Sequence, residues 1–275
     1  GQLVVGGIAA AWIALFWAEK IPASLILPAM VIAGFVAGAL WGAVSAVLKA
    51  FIGVNEVVVT LMMNYIAIQW TEYLYYGPWK DPKGYGFPGT AEFPKAAWLS
   101  RLPGTRVHLG LAFAIVAAFF LWLILVRTKW GYEIRVIGEN PRAARYAGIS
   151  LARNIILVML LSGGLAGLAG MAEVAGIAHR LQKGLSVGYG YTAIIVAWLA
   201  RLNPWTSLVV AILMAALLVG GDQIQITMQL PAATAFILQG AILFFVLGGE
   251  LFTQYRIRWQ PRPAEERIEE PVRGV

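Results

Sequence analysis

The chain has 275 residues, 60% of them hydrophobic and only 13% charged, with a mean hydropathy of +0.73; a soluble globular domain, which carries about 25% charged residues, is excluded. The net charge of +7 reports loop topology rather than nucleic-acid binding, because basic residues in a membrane protein mark one side of the bilayer. Cysteine is absent, which removes disulfides, thiolate nucleophiles and cysteine metal sites, and the two histidines, His108 and His179, lie far apart in sequence without a nearby ligand set, so no metal site is expected.

A bilayer crossing needs roughly 20 apolar residues in helical form. Residues 1–18 are apolar enough to cross, and they begin without an initiator Met or the basic start of a signal peptide, so further chain is expected before them. Residues 25–48 form a second predicted span. Gly34, Gly38 and Gly42 repeat there every fourth position, a face on which another helix backbone can approach. Residues 55–76 (NEVVVTLMMNYIAIQWTEYLYY) are long enough to cross but polar in places. Asn55 suits a helix N-cap, Glu56 suits the positive first turn, and Thr60 and Asn64 share a face. Polar groups at membrane depth must meet protein or a watery cavity, so this face either hydrogen-bonds to another helix or lines a pathway.

Residues 77–108 form a long loop rich in Pro, Gly and aromatics, with Trp79, Tyr85, Phe87 and Trp98 as candidates for an interface. A loop of that length without regular structure is usually functional or disordered, and its aromatic content opposes disorder. Residues 109–126 are the cleanest predicted span.

Residues 127–153 then interrupt the apolar pattern with a basic stretch. Within it Asn140 is a good N-cap, Pro141 suits the first helical position and Gly148 suits the residue beyond the end. The signals predict a helix of about two turns over 141–147, with Arg142 and Arg145 on one face. Such a helix is either a solvated connector or a docking element.

The predicted span 155–178 is rich in Gly and Ala, with Gly163 and Gly167 giving another close-packing face, and it holds Glu173, which is expected near its aqueous end. Residues 179–190 are polar and glycine-rich. The apolar piece 191–200 is short for a crossing and either spans or re-enters. Residues 206–221 are predicted to cross, leading into Asp222, Gln223 and Gln225, and residues 232–252 form the last predicted span. The charged tail, 255–275, is expected outside the lipid.

The expected architecture is therefore all-α, a polytopic transmembrane helical bundle of about eight membrane segments, with residues 1–254 as one membrane domain followed by the tail. If 127–153 is cytoplasmic, alternation also places Lys49, Arg201 and the tail arginines inside. Lys20, Lys80, Lys83, Lys95, Arg101, Arg106, Arg180 and Lys183 then lie outside, in and around an external 77–108 loop.

No phosphate loop, Ser/His/Asp set or paired-acid site is apparent; the run GGLAGLAG lacks the Lys-Ser/Thr that would hold a nucleotide. A membrane enzyme is thus disfavoured, and ATP-driven transport would need another chain to hydrolyse the ATP.

Several stretches carry a family resemblance. GYEIRVIGENPRAARYAGI followed by LSGGLAGLAGMAEVAG resembles the cytoplasmic loop and next helix of ABC-importer permeases of the branched-chain amino acid and simple-sugar superfamily. GVNEVVVTLMMNYIA, GPWKDP, FPGTAEFP and GYGYTAIIVA are similar to its nucleoside and simple-sugar branch, whose permeases work with basic-membrane-protein-type lipoproteins. The likeness runs to about Phe252. Gly1-Gln2-Leu3 resembles the end of the family's NIGxEGQ motif, which implies one or two helices before this chain. WLARLNP, 198–204, departs from the family's LLGRNHP.

The resemblance implies the permease subunit of a bacterial inner-membrane ABC importer for nucleosides or simple sugars. It implies partner ATP-binding subunits that hold ATP and Mg, a second permease subunit, identical or paralogous, and an extracytoplasmic binding lipoprotein docking partly on 77–108. No cofactor is expected on this chain. By the same likeness 139–148 is the coupling helix, with Glu139, Asn140, Pro141, Arg142, Arg145 and Tyr146 at the ATPase. The neutral polar residues Asn55, Thr60, Asn64, Gln223 and Gln225 suit a hydroxyl-rich solute, with Tyr65 and Tyr189 as stacking candidates. Alternatives are an ABC permease for another solute, such as a branched-chain amino acid, or a secondary transporter coupled to ions through Glu56, Glu173 or Asp222.

Overall fold

The structure is a computed structural model that describes residues 1–254 apart from 85, 106, 186, 187, 230 and 232. Tyr85, Arg106, the 255–275 tail and the side chain of Asp222 lie outside what is described. Helices dominate, and among the described residues β pairing is confined to two isolated bridges, Gly89 with Gln182 and Arg101 with His108.

In chain order the helices are α1 (Gln2–Phe16), α2 (Ala23–Val47, extended by a π turn Leu48–Ile52), α3 (Glu56–Tyr76), α4 (Gly110–Arg127), α5 (Lys129–Glu139) and α6 (Pro141–Tyr146). They continue with α7 (Leu151–Glu173, ending in a π turn Val174–Ala178), α8 (Tyr189–Leu199), α9 (Pro204–Met228) and α10 (Ala233–Gln254). Side-chain caps set the starts of several helices. Asn55 accepts from Val57 N at 2.9 Å, Thr128 from Gly131 N at 3.1 Å, and Asn203 from Trp205 N at 3.0 Å. Each satisfies a backbone donor that the first helical turn leaves free.

By length and composition, Ala23–Ile52, Gly110–Arg127, Leu151–Ala178 and Pro204–Met228 can cross a membrane; these are four helices among the described residues. The expectation of about eight crossings is not reached on that measure. α1 has 15 residues and α8 has 11, each shorter than a full crossing, and α3 carries Glu56, Asn64, Gln69 and Glu72. A second difference lies in the basic stretch. Besides the helix expected after Asn140, it forms α5, because Trp130, Ile134 and Ile137 recur at helical spacing and turn one half-buried face inward.

The chain folds into two compact units, residues 1–215 and 216 onward. The first is built on α1, α2 and α7, which meet along glycines. A methyl group placed on Gly38 would lie 2.7 Å from the Gly167 Cα, and one on Gly42 would lie 2.9 Å from the Met159 carbonyl oxygen. One on Gly170 would lie 2.9 Å from Gly7 N. Backbones this close leave no room for a side chain, and dispersion replaces the hydrophobic drive that lipid cannot supply. The two sequence glycine faces therefore face each other. Around them Val4, Ile8, Ala10, Ala11, Ile26, Met30, Met171 and Val174 are buried. In the second unit, Ala216, Leu217, Gly220, Ile224, Gln225, Pro231, Thr234 and Leu238 line a recess of about 180 Å³ between the end of α9 and the start of α10.

Candidate functional site: a capped basic helix, a polar α3 and an ordered cap

The helix α6 is short and held at both ends. Asn140 Oδ1 accepts from Arg142 N at 3.0 Å and Ala143 N at 3.1 Å, and Pro141 sits at the first position. At the far end Gly148 adopts φ +76°, and Ile149 N donates to the Ala144 carbonyl at 3.0 Å. The sequence signals thus produce the helix they predict, ending at Tyr146. Only Ala144 of α6 is buried. Glu139, Asn140, Pro141, Arg142, Arg145 and Tyr146 are all exposed, and Tyr146 is 95% exposed. Arg142, Arg145 and Tyr146 therefore lie on the surface of the described chain.

The arm that carries α6 was not legible as a unit. Asn154, on the first turn of α7 and 3% exposed, donates through Nδ2 to Glu133 Oε2 of α5 at 2.8 Å. The repeat of Trp130, Ile134 and Ile137 is the signal that reveals α5, though it does not reveal this pair.

The polar set on α3 is largely engaged. Asn55 caps the helix, the Thr60 hydroxyl donates back to the Glu56 carbonyl at 2.8 Å, and Asn64 is half-buried. Glu56 forms an ion pair with Lys49 across the turn at Gly53. Tyr65 is 61% exposed. Tyr189 opens α8 and is also partly exposed. Gln223 and Gln225 are exposed on α9 within the second unit. The α3 residues share one helix.

The described residues of 77–108 form a cap over the end of α7, hydrogen-bonded to 175–181. Thr90 N donates to Leu181 O at 2.9 Å, Leu181 N to Thr90 Oγ1 at 3.0 Å, Phe93 N to His179 O at 2.8 Å and Leu99 N to Ala175 O at 2.9 Å. Thr90, Phe93, Ala97 and Leu99 are buried under it. The aromatic residues divide. Phe87 is 77% exposed, whereas Trp79 packs edge-on against Phe16 and Trp98 stacks on His179, so Trp98 is turned inward rather than toward an interface. The two histidines are distant in sequence, yet His179 contributes to the state of His108: burial lowers the His108 imidazole pKa first, then Arg101 and His179. Among the described residues no group of three or more metal-ligating side chains forms.

Known proteins are similar to this chain in sequence. Residues 1–247 match the family described as branched-chain amino acid transport system / permease component. The chain is 35% identical over 268 residues to the glucose ABC transporter permease protein TsgB13 of Haloferax volcanii, covering 94% of this chain and 70% of that protein. It is 35% identical over 249 residues to the guanosine ABC transporter permease protein NupP of Bacillus subtilis, covering 90% and 71%. It is 31% identical over 257 residues to the nucleoside ABC transporter permease protein NupB of Lactococcus lactis, covering 90% and 70%. No solved structure matches. These relatives favour an ATP-driven permease over an ion-coupled carrier. With apolar helices able to cross a bilayer and a family match along nearly its whole length, the chain belongs to the branched-chain amino acid transport system / permease component family and is a membrane-embedded permease subunit of an ABC transporter.

Proposed function

We propose that this chain forms the translocation pathway of an importer for nucleosides or related simple sugars, as a multi-pass subunit in the cell (inner) membrane. The observation that carries the substrate reading is the similarity, at 31–35% identity over most of the chain, to permeases named for guanosine, nucleosides and glucose. On this reading two permease subunits, identical or paralogous, enclose the path, and α1, α3 and α8 cross with the longer helices. Separate ATP-binding subunits hold ATP and Mg. An extracytoplasmic lipoprotein delivers the solute at the 77–108 cap.

The coupling step is assigned to α6. Exposure of Arg142, Arg145 and Tyr146 supports its seating on an ATP-binding subunit: the guanidinium groups make charge-assisted hydrogen bonds and the ring supplies desolvated area. ATP binding moves the partner subunits, α6 follows as a rigid unit, and the path alternates its access. Asn55, Thr60, Asn64, Tyr65, Tyr189, Gln223 and Gln225 are the proposed pathway residues. Tyr65, Gln223 and Gln225 are the most available of them, since Asn55 and Thr60 already hold their own helix.

The test is uptake in proteoliposomes holding the full-length permease, its ATP-binding subunits and binding protein. Radiolabelled guanosine uptake should require ATP and be competed by other nucleosides or pentoses, and not by leucine. Competition by leucine alone overturns the substrate reading. Uptake that persists without the ATP-binding subunits overturns the coupling.

A further inference from the structure

We propose that Glu133 and Asn154 are positioning residues for energy coupling, a strut that carries displacement of α6 into α7. The inference rests on α6 being the element that docks on the ATP-binding subunit.

Three helices meet pairwise here. α5 joins α6 at Asn140, α6 joins α7 through the turn 147–150, and α5 joins α7 through the bond from Asn154 Nδ2 to Glu133 Oε2 at 2.8 Å. The first two joints are single points in the backbone. The turn 147–150 depends on Gly148 at φ +76°, with open space around it, and on the bonds of Gly148 N to Arg145 O and Ile149 N to Ala144 O. Two rods linked at one such point can fold against each other. Closing the third side makes a triangle, which cannot change its angles without breaking a side.

The third side is held through the Asn154 amide nitrogen alone, the buried Oδ1 having no hydrogen-bond partner. A carboxylate only accepts, so the Asn154 amide must present its NH₂ to Glu133, and the same nitrogen also donates to Ser150 O at 3.0 Å. Asn154 is 3% exposed, so water competes poorly for the bond, and the ionised acceptor strengthens it. At the other end of the arm, Gly131 turns against the last turn of α4 where a methyl group would lie 2.6 Å from the Leu125 Cα, which fixes the root of α5. Beyond Asn154, α7 runs straight into the glycine contacts of Gly163 and Gly167 with α2. A tilt imposed on α6 therefore arrives at the helix core as a tilt of α7. With the third side removed, the hinge at 147–150 absorbs it.

The experiment uses the complete transporter in proteoliposomes and compares Glu133→Ala, Glu133→Gln and wild type. Association of the ATP-binding subunit, ATP hydrolysis and guanosine transported per ATP are read separately. Glu133→Ala is expected to keep association and hydrolysis while transport per ATP falls about tenfold. Glu133→Gln, which keeps an acceptor oxygen in place, is expected to restore most of it. Transport per ATP within about twofold of wild type in Glu133→Ala overturns the proposal. So does a parallel fall of association, hydrolysis and uptake, which marks a purely structural role, and so does failure of Glu133→Gln to rescue. A wild-type chain that binds no ATP-binding subunit overturns the docking reading and this proposal together.

Discussion

His179 lies flat on Trp98, ring centroids 3.9 Å apart and planes 13° from parallel, at the point where the 77–108 cap closes on the end of α7. Trp98 is fixed by its indole N–H, which donates to the Phe93 carbonyl at 2.9 Å. The stack makes the cap sensitive to acid. Burial is the main cause that lowers the His179 pKa; the Ala175 carbonyl opposes it, Arg101 adds to it and Glu92 opposes it. His108 is lowered as well. An opened cap releases both imidazoles to the ordinary value of about 6.5, so the open form binds more protons than the closed one below that pH. Closure is fully stable above about 6.5 and weakens as pH falls toward the lowered values. Hydrogen exchange at the Phe93 and Leu99 amides, corrected for intrinsic rate, should therefore show more opening at pH 5.5 than at 7.5. Equal protection at both, or an unchanged dependence in a His108→Gln/His179→Gln double variant, contradicts this.

The glycine contacts should be intolerant of the smallest addition. Gly38→Ala or Gly167→Ala forces two backbones apart, and overpacking of this kind costs about 1–3 kcal/mol. Gly138→Ala, with nothing near its Cβ, should be neutral or stabilise by up to about 1 kcal/mol. Thermal unfolding in detergent, followed by near-ultraviolet circular dichroism, ranks the three. Equal behaviour of Gly38→Ala and Gly138→Ala speaks against the close approach.

Asn140→Ala removes the acceptor for two backbone donors of α6 and should fray it, at a cost of about 1 kcal/mol. If α6 must be helical to dock, affinity for the ATP-binding subunit falls about fivefold. Asn140→Asp, which caps equally well, should hold wild-type affinity. Titration of the labelled ATP-binding subunit onto the permease in nanodiscs measures both, and wild-type affinity in Asn140→Ala counts against docking through this helix.

Thr90→Val leaves the Leu181 N–H without its hydroxyl partner inside the cap, and an unmet buried donor costs about 1–3 kcal/mol. Limited proteolysis within 77–108 should accelerate by at least about fivefold if cleavage follows opening. Thr90→Ser, which keeps the acceptor, should not accelerate it. Cleavage of all three forms at one rate removes the support for Thr90 as an anchor.

Much of this was legible in the chain because it depends on local chemistry. The apolar runs announced α2, α4 and α7, and Asn140, Pro141 and Gly148 announced α6 with its bounds nearly right. The glycine repeats announced close packing without saying that Gly38 and Gly167 would meet. What stayed hidden depends on partners far along the chain. The charges of RTKWGYEIRVIGE masked the amphipathic repeat of α5, and nothing local pairs Glu133 with Asn154. Trp98 resembles any interfacial tryptophan until His179 is placed on it. The α3 polar residues had two readings because Thr60 does not disclose that its hydroxyl bonds to Glu56 O. The short α8 matches the short apolar piece read at 191–200.

The backbone contact of α2 with α7 also has a consequence for synthesis. Ribosomes add about 5–20 residues per second, so on the order of ten seconds separates the making of Gly38 from that of Gly163. During that interval the glycine face of α2 lacks its partner. Any other small-residue helix passing through the same insertion machinery is a competitor for it. The closeness of the approach, with Gly34, Gly38 and Gly42 meeting the backbone of α7, disfavours a neighbour with larger side chains along that face.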